Sequence, residues 1–383
     1  MRLLIAGGGT GGHIYPALAV ARSLRARAGA PELGWLGGHR GLEAEIVPSA
    51  GIPLRRLLLR SLRSAGRDIH LLLDPVRLAL SVPEAFVLLI ARRPAAIFTT
   101  GGYVAIPVLL AAAVLRIPSV LWDGNVVPGR SVRLVARLAT VVAVSHAATG
   151  DTLARPRTYV TGTPIRSLAD VDVDEARERF GSRPGERVLL VFGGSQAVRR
   201  INDAVTAALP RLVERVRVVH VTGDAGYAAA VAAREALPAE LRDRYRPAPF
   251  LHGDDMTLAL AAADLAVGRA GASTLAEAAA FALPTVIVPY PHAAGHQRLN
   301  AEAFSDVGAA VLIEDEDLDA DRLVEAAGLL ADPARHAGMS AAARDLARPD
   351  AAVAVADLVM AAALREELPT AATIDATARG RRP

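Results

Sequence analysis

The chain has 383 residues, a formal net charge of +3 and no cysteine. All 43 of its basic residues are arginine, so Schiff-base or P-loop lysines, thiol nucleophiles, disulfides and zinc–cysteinate sites are excluded together. At 52% hydrophobic and 22% charged residues it reads as a folded globular protein, long enough for two domains.

Residues 1–6 are too short for a signal peptide and run straight into glycines. Short Val/Ile/Leu-rich runs at 2–6, 34–36, 96–99, 119–121 and 140–144 read as strands, and the second half repeats the pattern at 187–192, 216–222, 265–267, 285–288 and 310–313. These runs lack polar alternation, which marks strands buried on both faces of a parallel sheet. Helical stretches such as 15–28 and 202–214 lie between them. The βαβα order predicts two doubly wound α/β domains, with ligand at the carboxyl ends of the strands in a cleft between them. The most membrane-like stretch, 71–91, is interrupted by Asp74, Pro75, Arg77, Pro83 and Glu84 and makes a poor spanning helix. The expected layout is an N-terminal domain over 1–163, a C-terminal domain over 164–345, a helix over 346–368 that packs back on the first domain, and a disordered tail over 369–383.

Charge divides unevenly about the connector Thr161-Gly162-Thr163-Pro164. Residues 1–166 hold 20 Arg against 8 Asp and Glu, a net +12, whereas 167–383 hold 23 against 32, a net −9. A basic half suits anionic partners, either phosphorylated ligands, nucleic acid or an anionic membrane. The plain alternative is drift in an Arg-rich composition.

Three glycine-rich turns follow strands. The first is Gly7-Gly8-Gly9-Thr10-Gly11-Gly12-His13, with Pro16 just inside the next helix. It satisfies G-x-G-x-x-G, but the second strand ends in Gly37-Gly38-His39-Arg40, without the acid that a dinucleotide ribose needs. The second is Gly193-Gly194-Ser195-Gln196 followed by Arg199 and Arg200; the third runs from Gly268 through Arg269 to Glu277. Such turns bring backbone N–H groups and a helix N-terminus to a phosphate. Thr274 and Glu277 also fit a capping box, which would make the third turn an ordinary helix start. Farther on, Tyr290, His292, His296, Gln297 and Asn300 offer polar groups to a sugar.

Together these segments, with Thr100-Gly101-Gly102-Tyr103-Val104, Gly162-Thr163-Pro164-Ile165-Arg166 and Asp254-Asp255-Met256, closely resemble the MurG family of GT-B glycosyltransferases. The matches span most of residues 2–345. The resemblance implies two doubly wound Rossmann-like domains facing across a cleft. It implies inverting transfer of N-acetylglucosamine from UDP-N-acetylglucosamine to lipid I, the undecaprenyl-linked acceptor, at the cytoplasmic face of the membrane, giving lipid II for peptidoglycan. No cofactor, metal or nucleic acid is implied. It places Arg166, Ser195, Gly253, Ala272, Ser273, Thr274, Leu275, Ala276, Glu277 and Gln297 around the donor, and Thr10, Gly11, Gly12 and Asn125 toward the sugar and acceptor. Two local departures stand out. The family's His-Glu-Gln-Asn is here Trp122-Asp123-Gly124-Asn125, and its Gln-Gln pair is His296-Gln297.

Inverting transfer needs a base for the acceptor hydroxyl and charge stabilisation for the departing diphosphate. His13 is the expected base, since imidazole titrates near neutrality, with Asp123 orienting its ring. The alternative is that His13 only bonds a ligand phosphate while Asp123 caps a loop. On the acceptor side, Arg55, Arg56, Arg60, Arg63 and Arg67 with Leu71–Leu73, Leu78, Leu80, Val82, Phe86 and Leu88 suit a surface that meets an anionic membrane; the alternative is helices packing on the sheet. Rival functions are a related UDP-sugar transferase with another glycolipid or soluble acceptor, a UDP-N-acetylglucosamine 2-epimerase, and a non-catalytic nucleotide-sugar-binding protein.

Overall fold

The computed structural model describes residues 1–39, 41–59, 70–153, 157–168, 171–193, 199–251, 254–292 and 295–381. The chain runs β1 (Arg2–Ala6), α1 (Gly11–Arg25), β2 (Glu32–Gly37), α2 (Glu43–Ser49), β3 (Leu54–Arg56), α3 (His70–Arg92), β4 (Ala96–Thr99), α4 (Gly102–Val114), β5 (Ser119–Asp123), α5 (Arg130–Val135), β6 (Val141–Val144), α6 (Ala147–Leu153) and β7 (Thr158–Val160). It continues through α7 (Val173–Arg179), β8 (Val188–Phe192), α8 (Arg199–Val213), β9 (Arg217–Val221), α9 (Asp224–Glu235), β10 (Tyr245–Ala248), α10 (Asp255–Ala262), β11 (Leu265–Gly268), α11 (Ala272–Ala280), β12 (Thr285–Ile287), α12 (His296–Ser305) and β13 (Ala310–Leu312). The last helices are α13 (Ala320–Ala327), α14 (Pro333–Leu346), α15 (Ala351–Leu364) and α16 (Ala371–Ala378). Two compact units result: Met1–Ser167 together with Arg348–Pro383, and Leu168–Ala347.

The first unit is built on a parallel sheet of order β3-β2-β1-β4-β5-β6-β7. Every residue of β4, β5 and β6 is buried. Because side chains alternate across a strand, Leu3, Ile5, Trp35, Phe98, Val120 and Trp122 pack on one face with α1, α15 and α16, while Leu4, Ala6, Leu36 and Ile97 pack on the other with α3 and α4. The second unit has the order β10-β9-β8-β11-β12-β13. There Leu189, Val191, Val218 and Val267 join α8 and α13, and Val188, Leu190, Phe192 and Ala266 join α7 and α10. Strands β3, β7 and β10 are not marked by apolar runs. They are sheet edges of three or four residues, mostly only half-buried.

The tail does not match its expected disorder. Thr370 caps α16 by accepting from the Thr373 N–H. Ile374 and Ala378 are buried in the same cluster as α15, and Arg348 pairs with Asp375 at 2.8 Å. Two apolar side chains four residues apart suffice to dock so short a helix, a signal diluted by the small polar residues around them.

In each sheet the strand order reverses once, between β1 and β4 and between β8 and β11. At such a switch point neighbouring loops leave the sheet in opposite directions and open a crevice at the strands' carboxyl ends. The turns following β1 and β4, and those following β8 and β11, hold the glycine-rich segments.

Among the described residues no helix is long and apolar enough to cross a membrane. Helix α3 does carry apolar residues on two faces. Ala85 and Leu89 are buried, with Leu78, Phe86 and Leu88 packed beside them, so those last three do not face outward as the sequence suggested. The outward stripe is Val76, Leu80, Val87 and Ile90, at 53%, 54%, 65% and 48% exposure, spaced four, seven and three residues apart on one side of the helix. Arg60, Arg63 and Arg67 lie outside the described residues, as do the side chains of residues 71–73.

Candidate active site

In the first unit, β1 delivers the chain to Gly7, whose carbonyl accepts from the buried Trp35 indole at 2.8 Å. Helix α1 then starts at Gly11. Its N-cap, Thr10, makes no side-chain cap hydrogen bond, and no acid lies in the first turn. The His13 and Ile14 N–H groups bond to the Thr10 carbonyl, so Gly11 and Gly12 carry the N–H groups of an uncapped positive helix end. That is a suitable seat for a phosphate oxygen.

His13 sits in the first turn of α1. Its Nδ1 lies 2.7 Å from the Thr100 carbonyl, which can only accept, so Nδ1 carries the proton and Nε2 is the basic nitrogen of the neutral ring. Thr100 grips the residue a second time, its hydroxyl donating to the His13 carbonyl at 2.9 Å. Gly102 (φ +72°) passes close to the ring. A Cβ there would stand 3.6 Å from Nε2 and would strain the backbone.

The expected partner of the ring, Asp123, is engaged elsewhere. Its Oδ1 accepts from the Asn125 N–H at 2.8 Å and the Asn125 amide at 3.3 Å, and its Oδ2 from the Gly129 N–H at 3.1 Å. It therefore shapes the loop after β5, and the group that orients His13 is the Thr100 carbonyl. Burial raises the Asp123 carboxyl above the ordinary carboxylate range, opposed by those N–H donors and by the charge of His13. Asn125 is fixed by the same turn, and its carbonyl accepts from the Thr149 hydroxyl at 2.7 Å.

In the second unit, Arg269 follows β11 and is 6% exposed. One guanidinium nitrogen donates to the Val288 and Pro289 carbonyls at 3.1 and 3.3 Å and to Asp315 at 2.5 Å, and the group lies over the Tyr290 ring. Gln297 accepts from the Tyr290 N–H at 2.9 Å, which leaves its amide as the donor end. The buried Asn300 donates to the Ala270 carbonyl at 3.2 Å. Helix α12 thereby ties down the loops after β11 and β12.

Helix α11 begins differently from the capping-box pattern. Its N-cap is Gly271, with no side-chain cap hydrogen bond and no acid in the first turn. Thr274 is already its third residue, so Thr274 and Glu277 cannot form the reciprocal pair. Ala272, Ser273 and Thr274 are half-buried at this helix end, where an anion is favoured. Leu275 is different. Its side chain is core and its N–H bonds to the Gly271 carbonyl, so it supports the turn. Ala276 and Glu277 are half-buried on the next turn. Arg166 is half-buried and falls in the first unit, just before the boundary. Ser195 and Gly253, with Gly194 and Gln196, lie outside the described residues. Among the described residues no group of three His, Asp or Glu side chains that could hold a metal is found.

Two residues of this architecture carried no sequence signal of their own. Thr100 acts through a carbonyl, which every residue has. Glu43 is a fully buried acid at the start of a short helix, and acids there are common.

Each unit thus carries a switch-point crevice with an uncapped helix end, and in the first unit the His13 imidazole stands beside it. A family model described as the glycosyltransferase family 28 N-terminal domain matches residues 3–144, and one described as the family 28 C-terminal domain matches residues 188–355. Curated relatives from Desulforudis audaxviator and Moorella thermoacetica are each 39% identical, over 94% of this chain and 98% of the relative. Both are named UDP-N-acetylglucosamine–N-acetylmuramyl-(pentapeptide) pyrophosphoryl-undecaprenol N-acetylglucosamine transferase. The crystal structure of Acinetobacter baumannii MurG superposes with a TM-score of 0.74 at 27% identity, covering 94% of this chain and 99% of that one. The chain belongs to the MurG family.

Proposed function

We propose that the protein transfers N-acetylglucosamine from UDP-N-acetylglucosamine to lipid I, yielding lipid II and UDP for peptidoglycan synthesis. The observation that carries the mechanism is the 2.7 Å contact of the His13 Nδ1 with the Thr100 carbonyl, which calls for the proton on Nδ1 and leaves Nε2 basic. The acceptor hydroxyl attacks the anomeric carbon of the donor, the bond to UDP breaks with inversion, and the hydroxyl proton passes to Nε2. The Asp123 charge favours the resulting imidazolium. Thr10, Gly11, Gly12 and Asn125 serve the acceptor side. The second unit holds the donor through the N-terminus of α11 (Ala272 to Glu277) and Gln297, with Arg166, Ser195 and Gly253 as further donor contacts; the helix end stabilises the departing diphosphate. Purified protein with UDP-N-acetylglucosamine and lipid I in detergent is expected to release one UDP per lipid II formed. UDP release with a soluble sugar acceptor but not lipid I would shift the reading to another UDP-sugar transferase. A C2 epimer formed without acceptor would shift it to an epimerase.

The enzyme works as a peripheral protein on the cytoplasmic leaflet, where its acceptor is anchored. What supports this is the outward stripe Val76, Leu80, Val87 and Ile90 on α3, the exposed Arg55 and Arg56, and the basic charge of the first half. Apolar side chains enter the interface while arginines meet anionic headgroups. Val87→Glu is expected to weaken binding to phosphatidylglycerol vesicles by about tenfold or more, since a buried valine is worth roughly 1.5 kcal/mol and a buried charge costs more. Unchanged binding, or wild-type binding that is equal on neutral vesicles and indifferent to salt, overturns the docking role.

A further inference from the structure

Glu43 opens α2 and is fully buried, yet its carboxylate is surrounded by donors. Oε2 accepts from the Gly9 N–H at 2.9 Å, and Oε1 accepts from the Gly38 N–H at 3.1 Å and the Tyr103 hydroxyl at 3.2 Å. Three segments meet on this group: the glycine loop after β1, the turn after β2, and the first turn of α4. Burial and the Glu43 charge push the Tyr103 hydroxyl well above its ordinary range, so it stays a donor. A Cβ at Gly8 or Gly41 would run into the carboxylate, one at Gly37 into the Glu43 side-chain methylene, and one at Gly38 into the Tyr103 hydroxyl. Part of the glycine richness around this site therefore makes room for Glu43 rather than for a ligand.

We propose that Glu43 is a positioning residue for the transfer reaction. It takes the Gly9 N–H and so removes that donor from the loop's set toward an acceptor phosphate. Through Tyr103 it also pins the start of α4, one residue beyond Gly102, which lines His13, and three beyond Thr100, which holds the His13 Nδ1. The inference rests on the transferase reading above. A carboxylate is required because it is acceptor-only. Gln has the same shape, but its NH2 group must face either Gly9 or the Gly38–Tyr103 pair, donor against donor.

Glu43→Gln and Tyr103→Phe test this with lipid I-dependent UDP release, thermal melting, and nitrogen-15 NMR of the His13 ring. Glu43→Gln is expected to lower kcat about 10–100-fold, the scale of a displaced catalytic group, with KM for UDP-N-acetylglucosamine within about twofold. The Nδ1–H resonance of His13 should shift or broaden. Tyr103→Phe leaves both backbone donors on Glu43, and about a threefold to tenfold fall in kcat is expected, again at constant donor KM. Tyr103→Phe also decides the matter should Glu43→Gln not fold. Wild-type kcat in a folded Glu43→Gln variant, or an unshifted His13 resonance, overturns the proposal. For Tyr103→Phe, unchanged kcat does the same. Should the wild type release no UDP with lipid I, the transferase reading fails instead, and the His13 resonance still judges the role of Glu43.

Discussion

His13→Gln is expected to reduce kcat for UDP release by about 10²–10⁴-fold, the usual share of a general base, with little change in donor binding. The residue is half-buried, and the replacement costs the Nδ1 bond to Thr100, about 1 kcal/mol, so the fold survives. The donor contacts assigned to α11 and Gln297 belong to the other unit, so UDP affinity by calorimetry should stay within a factor of about two. Asp123→Asn serves as companion. It keeps one oxygen for the Asn125 N–H, places an amide against the Gly129 N–H, and removes the negative charge. A loss near tenfold is expected, since one pKa unit of interaction between the two groups corresponds to about 1.4 kcal/mol. Full turnover by His13→Gln would eliminate the imidazole as base, and wild-type activity in Asp123→Asn would remove the charge from the mechanism.

Arg269→Ala is expected to be the most damaging change in the second unit. The guanidinium spans two carbonyls and Asp315 while lying over Tyr290. Removing it orphans the Val288 and Pro289 carbonyls together. Asp315 is 20% exposed and still has Arg200 at 3.5 Å, so the loss is placed at the lower end for a broken buried pair, about 3 kcal/mol. For a unit of this size that is a fall of roughly 6–12 °C in its melting temperature. The 289–290 segment that Arg269 supports also bonds to Gln297, so KM for UDP-N-acetylglucosamine should rise about tenfold or more, with kcat at saturation less affected. Differential scanning calorimetry and donor titration check the two effects separately. A melting curve and KM equal to wild type would show that the loop stands without Arg269.

Features resting on residue type and strand rhythm are legible in the sequence itself. Runs such as 2–6 and 187–192 lack polar alternation, which leaves a doubly wound sheet as their natural home. The glycines before His13 and the segment from Arg269 to Glu277 announce switch-point turns. What stayed hidden depends on rotation or on backbone groups. Helix α3 is apolar on two sides, so nothing in its sequence decides whether Leu78, Phe86 and Leu88 or Val76, Leu80 and Val87 face outward. The ring of His13 is held by a backbone carbonyl, which no side-chain pattern reveals, whereas Asp123, the acid that the pattern offers, binds its own loop. In the tail, two buried side chains outweigh a polar composition.

The second unit is one continuous stretch, Leu168–Ala347, set within a first unit that is completed only by Arg348–Pro383. This has a consequence for the order of assembly. Leu3, Ile5, Phe98 and Val120 share a cluster with Val355, Leu358 and Val359 of α15. On a ribosome, that side of the first sheet cannot gain its α15 cover until residue 364 has been made, by which point every residue of the second unit has already been synthesised. The half that carries His13 starts first and finishes last, holding an unsatisfied apolar face while its neighbour has all it needs to fold.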